Sequence, residues 1–225
     1  LQYSYRIVFC PETIGALCYL SRNLDEMKRN TVGGYVVTCV GGPDNFTYLE
    51  SRNGDALIDR STLHTLRSTG RPHRVVSFTE RGSDERQYNA PGIDLNVGSL
   101  MRSKYGDYPE YHTSADDLSF VTAEQMEASF TAYMDCIATL EANTRPRSLT
   151  LGEPNLGERD LYPTLGAGVD NGGFVDNLLA VLAYADGKRD LIEIAELHGK
   201  SVTEYSEAVA ALAANDLIEQ GVAGS

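Results

Sequence analysis

Hydrophobic and polar positions along the first 142 residues follow strand and helix periods in turn. Period-two alternation over residues 1–9 predicts a strand, and an apolar run at 34–40 predicts an interior strand of a sheet. Apolar residues at helical spacing predict helices at 14–23, 56–68 and 122–141, and further strands are expected at 73–78 and 95–100. This order predicts an α/β domain over residues 1–142, a mixed sheet flanked by helices.

The residues that follow are organised differently. Gly, Pro and Asn are concentrated in residues 143–173, which predicts a linker with one short strand at 148–151. Apolar spacing then predicts three helices within residues 174–215 and a short strand at 217–219. Three helices with a following strand are typical of a winged helix, so we expect a small winged-helix domain at 174–225.

Charge limits what this winged helix can bind. The chain has 19 Lys and Arg against 32 Asp and Glu, a net charge of −13, and residues 170–225 hold three cations against ten carboxylates, a net of −7. The third predicted helix reads TEYSEAVAALAAND and has no Lys or Arg. Because phosphate contacts require cationic side chains, we expect neither a nucleic-acid partner nor an anionic membrane surface. No apolar run is long enough to predict a transmembrane helix.

The four cysteines are Cys10, Cys18, Cys39 and Cys136. They form no CxxC pair, and they lie in segments predicted to enter the core. A chain of this length with so few cysteines does not require a disulfide framework. We therefore expect reduced, buried thiols and a cytoplasmic protein.

Two polar side chains near predicted strand ends could carry chemistry. Glu12 directly follows the first strand, where a carboxylate can act on a water or simply favour a helix N-terminus. His112 lies in the loop 108–117, where Asp116 or Asp117 could orient its imidazole as a metal ligand. The alternatives are a solvated histidine and carboxylates that cap the next helix.

Several sequence runs resemble bacterial aminopeptidase-domain proteins that combine a zinc-exopeptidase fold with a C-terminal winged helix. Those proteins are related to leucine aminopeptidase-like zinc peptidases and to glutaminyl cyclases. The resemblance covers nearly the whole chain, including the winged helix. The runs are YRIVFCPETIGALCYL at 5–20, GYVVTCVG at 34–41, RGSDERQYNAPGIDLNVGSLMR at 81–102, YPEYHTSADDLSFV at 108–121 and LYPT at 161–164.

The resemblance implies a zinc-dependent hydrolase of a small peptide or amide. Zinc would lower the pKa of a bound water, and Glu12 would act as the general base that takes its proton. His112 matches a zinc-binding histidine, Tyr111 could donate to the oxyanion, and Asp116 could support the histidine. The residues that match the border of the substrate site are Asp84, Glu85, Arg86 and Tyr88.

The sequence departs from this family pattern at two metal ligands. Thr13 stands where the two-zinc peptidases have a metal-binding glutamate, and Cys39 where they have an aspartate, although Asp44 lies nearby. The resemblance places a further His and Asp in an N-terminal half that these 225 residues do not contain. Since residues 1–9 already predict a buried strand, we expect the chain to begin mid-fold.

The remaining metal ligands would come from the N-terminal half of the same protein or from a partner chain, and a homo-oligomer is also considered.

Three kinds of function stay open at this point. A site of this kind could hydrolyse a peptide, or it could catalyse acyl transfer as in glutaminyl cyclases. The third alternative is a non-catalytic scaffold whose winged helix recruits a partner.

Overall fold

The computed structural model describes residues 1–159, 161 and 172–223. These residues form two compact units, which consist of residues 4–137 and of residues 1–3 together with residues from 138 onwards. Among the described residues, no helix is long and apolar enough to cross a membrane. Each unit is described below by itself.

A four-stranded mixed sheet lies at the centre of the unit 4–137. Its spatial order is β1-β4-β2-β3, with β1 parallel to β4, β4 antiparallel to β2, and β2 parallel to β3. The strands are β1 (Gly34–Tyr35), β2 (Phe46–Leu49), β3 (His73–Val76) and β4 (Val97–Met101). The helices are α1 (Ile14–Asn30), α2 (Leu57–Ser68), the short α3 (Glu85–Tyr88) and α4 (Ala123–Ala142), whose last residues belong to the second unit.

The sheet core combines apolar packing with one buried carboxylate. Tyr48 and Leu100 are fully buried and pack against Leu66 of α2, and each large side chain buried in this way contributes about 1.5–3 kcal/mol. Asp59, at the start of α2, accepts a 2.8 Å hydrogen bond from the Tyr48 hydroxyl and another from the backbone N–H of Ser51. These bonds compensate for burying the carboxylate and fix the connection from β2 to α2.

Helices α1, α2 and α4 confirm the three helices predicted for this unit. Two of the predicted strands, at 1–9 and at 34–40, are not found as predicted. Residues 1–11, all of which the structure describes, carry no strand, and Ile7 and Phe9 are 79% and 94% exposed. The strand predicted at 34–40 is reduced to Gly34–Tyr35 and lies at the sheet edge instead of its interior. Strand β2 was not predicted. Alternation indicates strand propensity, but a strand forms only where a neighbouring strand completes the ladder.

The second unit has the helix and strand order of a winged helix. Strand β5 (Thr144–Ser148) pairs antiparallel with β6 (Ile218–Val222). The strand predicted at 148–151 is therefore wrong by several residues, and residues 162–164 of the LYPT run lie outside the described residues. The helices between the strands are α5 (Gly172–Tyr184), α6 (Leu191–Leu197), a 3-10 turn (Val202–Tyr205) and α7 (Ser206–Ala214).

All four cysteines are free thiols. Cys136 is buried in the sheet core and Cys39 is half-buried, but Cys10 and Cys18 are exposed. The expected core location is therefore wrong for these last two. Cys10 lies in the N-terminal segment that forms no strand, and Cys18 lies on α1, where Ile14 and Leu17 are exposed as well.

Candidate active site

The loop that carries Glu12 is held by the loop 81–88. The backbone N–H of Thr13 donates a 2.7 Å hydrogen bond to Oδ1 of Asp84, and Nη2 of Arg86 donates a 2.7 Å hydrogen bond to Oγ1 of Thr13. The same Nη2 lies 3.8 Å from Oε1 of Glu12, whose side chain is 60% exposed. The structure thus brings the predicted base, Asp84 and Arg86 together, with the base carboxylate open to solvent.

The turn from Glu12 into α1 is tight and strained. Thr13 has φ 59° and ψ −68°, a conformation that is an outlier for a β-branched residue. A Cβ at Gly15 would lie 2.7 Å from Cβ of Cys10 and 2.8 Å from Cδ of Pro11, so only glycine fits there. Strain of this kind persists where surrounding contacts enforce it, and it is frequent at functional sites.

Aromatic rings organise the loop that carries Tyr111. The ring of Tyr108 stacks on Phe120 at 4.9 Å and meets the ring of Tyr111 edge-on at 5.6 Å. Sγ of Cys39 lies 3.9 Å from the Tyr108 hydroxyl. Burial raises the pKa of Tyr111, and the charges of Cys39 and Glu12 raise it further. The Tyr111 hydroxyl therefore stays protonated and can donate a hydrogen bond in the neighbourhood of Glu12.

His112 is exposed, and its ring stacks on Tyr111 with centroids 3.9 Å apart. Its φ is 58°, and Cys39 has φ 52°. Thr13, Cys39 and His112 thus all have a positive φ. Thr13 and Cys39 are the two positions that depart from the two-zinc pattern, and His112 is the predicted metal ligand. The charge of Asp116, in the same loop, contributes to the raised pKa of Tyr108. Its support of His112 stays a prediction.

Asp117 has a local role in the same loop. Its carboxylate accepts hydrogen bonds from the backbone N–H and the hydroxyl of Ser119, at 2.8 and 2.7 Å. These bonds lower the pKa of Asp117. The side chain thus serves the turn that precedes α4, whereas Oγ1 of Thr122 accepts a 3.3 Å hydrogen bond from the backbone N–H of Gln125 in the first turn of α4.

Glu85 lies beneath the site and is fully buried. Its Oε1 accepts hydrogen bonds from the backbone N–H groups of Gly82 and Ser83, at 2.7 and 2.9 Å, and from the Tyr105 hydroxyl at 2.8 Å. Burial and the charge of Glu85 hold the pKa of Tyr105 well above its ordinary value. Glu85 therefore shapes the loop 81–88, and its contact with substrate stays a prediction.

Two tyrosines lie in or beside the segment 81–88, Tyr88 near Asp84 and Tyr105 at Glu85. Burial, Cys10 and Asp84 raise the pKa of Tyr88 to about 12, so its hydroxyl stays protonated beside the predicted site. Tyr105 was not singled out from the sequence. Nothing in its local pattern marks it, because its partner Glu85 is 20 residues away along the chain.

The fit of these residues to zinc is incomplete. Neutral imidazole is a normal zinc ligand, and exposed His112 could offer one nitrogen. However, no group of three His, Cys, Asp or Glu side chains in the described part of the chain could hold a metal ion. These residues do not form a zinc site by themselves.

Comparison with known proteins assigns the two units. Residues 1–143 of the 225 match the family described as "Domain of unknown function (DUF4910)", and residues 143–220 match a winged helix-turn-helix family. The chain belongs to the DUF4910 family. The second match confirms the predicted winged helix at the C-terminus of this DUF4910 chain.

One named protein and one solved structure, both from Clostridium acetobutylicum, are similar to this DUF4910 chain. One, named "Putative polysaccharide biosynthesis protein with aminopeptidase-like domain", is 40% identical over 219 residues, which are 97% of this chain and 50% of that protein. The other is a crystal structure of a "putative peptidase" at 2.37 Å, with a TM-score of 0.77 and 37% identity over 93% of this chain and 46% of that one. The chain thus spans about half the length of these relatives, and its α/β unit is peptidase-like.

Proposed function

We propose that this chain supplies one side of the active site of a zinc-dependent, aminopeptidase-like hydrolase that acts on a small peptide or amide. The observation that carries the proposal is the exposed Glu12 carboxylate, held at a strained turn by Asp84 and Arg86. Backbone strain of this kind clusters at active sites, which supports a functional role for the carboxylate beside it. The free thiols support a reducing, cytoplasmic setting.

Each residue has a role that its surroundings allow. Glu12 would take a proton from the attacking water and return it to the leaving amine, which requires an open and oriented carboxylate. Arg86, 3.8 Å away, would hold that carboxylate in position. Tyr111, whose hydroxyl carries its proton at neutral pH as an ordinary tyrosine does, would donate a hydrogen bond to the oxyanion.

His112 would be one ligand of the zinc ion, and the remaining ligands would come from outside this chain, from a further segment of the same protein or from a partner. When bound, zinc would lower the pKa of a water towards about 7. The peptidase-like relatives, which are about twice as long as this chain, support such a division of the site.

The test is the Glu12→Gln variant of the complete gene product, with Glu127→Gln on the exposed face of α4 as the matched control. Substrates should include aminoacyl amides and, because one relative is named for polysaccharide biosynthesis, N-acylated sugars. We expect Glu12→Gln to retain zinc but to lose about 10²–10⁴-fold in kcat, with Glu127→Gln unchanged. Full turnover in Glu12→Gln would exclude Glu12 as the base.

The second candidate is a non-catalytic scaffold. Thr13 and Cys39 at metal-ligand positions favour it, as does the lack of three metal-ligating side chains among the described residues. Zinc analysis of the complete gene product separates the two candidates. A stoichiometric zinc ion that is lost in His112→Ala and kept in His73→Ala supports the hydrolase, whereas a zinc-free protein supports the scaffold.

A further inference from the structure

A cleft of about 450 Å³ lies in the unit 4–137, next to the loop 81–88. Its volume is within the range of small-molecule sites. Three arginines line it, Arg52, Arg81 and Arg86, together with Phe78 and Asn89. In a chain with a net charge of −13, three guanidinium groups around one cleft form a local cationic site.

The three guanidinium groups are not neutralised by strong partners. Arg81 lies over the Phe78 ring at 5.0 Å, and no carboxylate of the described residues pairs with it. Arg52 is 3.3 Å from Asp94, but both side chains are more than a third exposed, and such surface pairs are weak. The cleft therefore keeps its positive charge.

Arg86 provides the observation that points to a ligand. Its Nη2 is occupied by Thr13, but its Nε is buried and has no hydrogen-bond partner in the described part of the chain. A guanidinium N–H that is covered and has no acceptor is costly, and since the Arg86 side chain as a whole is 40% exposed, a small shift of it would let a bound oxyanion accept from this Nε. Arginine presents its donors as a planar fork that matches carboxylate and phosphate oxygens.

We infer that this cleft binds the phosphate or carboxylate group of a small molecule. Arg81, held over Phe78, and Arg52 would supply charge, and Nε of Arg86 would donate to an anion oxygen. Because Arg86 also lies 3.8 Å from Glu12, the bound anionic group would sit close to the proposed hydrolytic site. The inference deepens the proposed function by giving its substrate an anionic group, but binding can be measured without turnover.

The experiment is isothermal titration of the purified protein with inorganic phosphate and, separately, with acetate, each at low and at high chloride concentration. The variants are Arg81→Gln and, as a matched control, Arg29→Gln at the exposed C-terminal turn of α1. We expect Arg81→Gln to weaken binding about tenfold or more and Arg29→Gln to leave it unchanged. Tighter binding of phosphate or of acetate identifies which oxyanion the cleft selects.

Two results would overturn the inference. One is the absence of any binding of either anion at millimolar concentration. The other is an equal loss in Arg81→Gln and Arg29→Gln, which would indicate non-specific charge screening. Neither result bears on Glu12, and an inactive Glu12→Gln variant that still binds phosphate would separate the cleft from the chemistry.

Discussion

The backbone N–H of Thr13 is held by the carboxylate of Asp84, 71 residues further along the chain. Thr13 follows the proposed base and has a left-handed backbone that its β-branched side chain disfavours. The hydrogen bond that Thr13 donates to Asp84 offsets part of that strain and fixes the direction in which Glu12 leaves the turn. The position of the base thus depends on a second loop.

Asp84→Ala should destabilise this turn, because it removes the buried carboxylate that accepts a charge-assisted hydrogen bond from the Thr13 N–H. We expect the free energy of unfolding to fall by about 1–3 kcal/mol, measured by urea denaturation. Asp25→Ala, at an exposed position of α1, is the matched control and should change it by less than about 0.5 kcal/mol. Equal effects of the two substitutions would mean that Asp84 does not hold the turn.

The three longer helices of the unit 4–137 could be predicted from sequence because their signal is local. Apolar residues three and four apart define α1, α2 and α4 without knowledge of any partner. The segment with Ile7 and Phe9 is the opposite case. Its apolar and polar residues alternate as they do in a strand, but no neighbouring strand pairs with it. Strand β2 was missed because it has only four residues and all four are buried, so no alternation marks it.

The sequence predicts which residues form the candidate site, but not the contacts that hold them in place. Glu12, Asp84 and Arg86 were named from sequence, and the structure brings them together. Tyr105 and the fully buried state of Glu85 could not be foreseen. Both depend on contacts between distant parts of the chain, and no local pattern encodes such contacts.

Glu85→Ala should be more damaging than Asp84→Ala. Its Oε1 accepts three hydrogen bonds in a fully buried position, and truncation leaves two backbone N–H groups and the Tyr105 hydroxyl without that acceptor. We expect a loss of about 2–5 kcal/mol in the free energy of unfolding. The same urea measurement on Glu127→Ala provides the baseline. A loss no larger than that baseline would show that water replaces the carboxylate.

Alkaline stability should depend on Tyr88. Its pKa is raised from 10.0 to about 12, chiefly because the folded state buries it. In the unfolded chain Tyr88 loses its proton near pH 10, whereas in the folded chain it keeps the proton to near pH 12. The contribution of this raised pKa to the free energy of unfolding is therefore fully present below pH 10. It is lost as the pH rises from about 10 to about 12.

Tyr88→Phe should remove this part of the pH dependence. The wild-type free energy of unfolding should fall more steeply than that of the variant between pH 10 and 12. One proton corresponds to at most about 1.4 kcal/mol per pH unit, and solvent at this partly exposed side chain reduces the difference. The measurement is urea denaturation at several pH values. Parallel curves for the two proteins would contradict the raised pKa.

The winged helix should not bind duplex DNA. Helix α7, which the structure describes in full, has no Lys or Arg and exposes Glu207 and Ala210. Of the three cations in residues 170–225, two are already engaged, since Lys200 donates a 2.7 Å hydrogen bond to Asn177 and Arg189 lies over the ring of Tyr184. Among the further cations of this unit, Arg147 of β5 pairs with Glu219 at 2.5 Å. DNA affinity comes largely from cationic side chains that neutralise phosphates. The exposed face of α7 therefore provides almost no affinity for DNA.

Fluorescence anisotropy with a labelled duplex at low salt tests this expectation. The wild-type protein should give no binding. The double substitution Glu207→Lys with Ala210→Arg, on the exposed face of α7, should introduce weak binding that declines as salt is raised, because each new cation can release a condensed counterion. If the wild-type protein bound DNA with a steep salt dependence, cations outside α7 would have to supply the contacts. The negative charge of this unit would then no longer exclude a nucleic-acid partner.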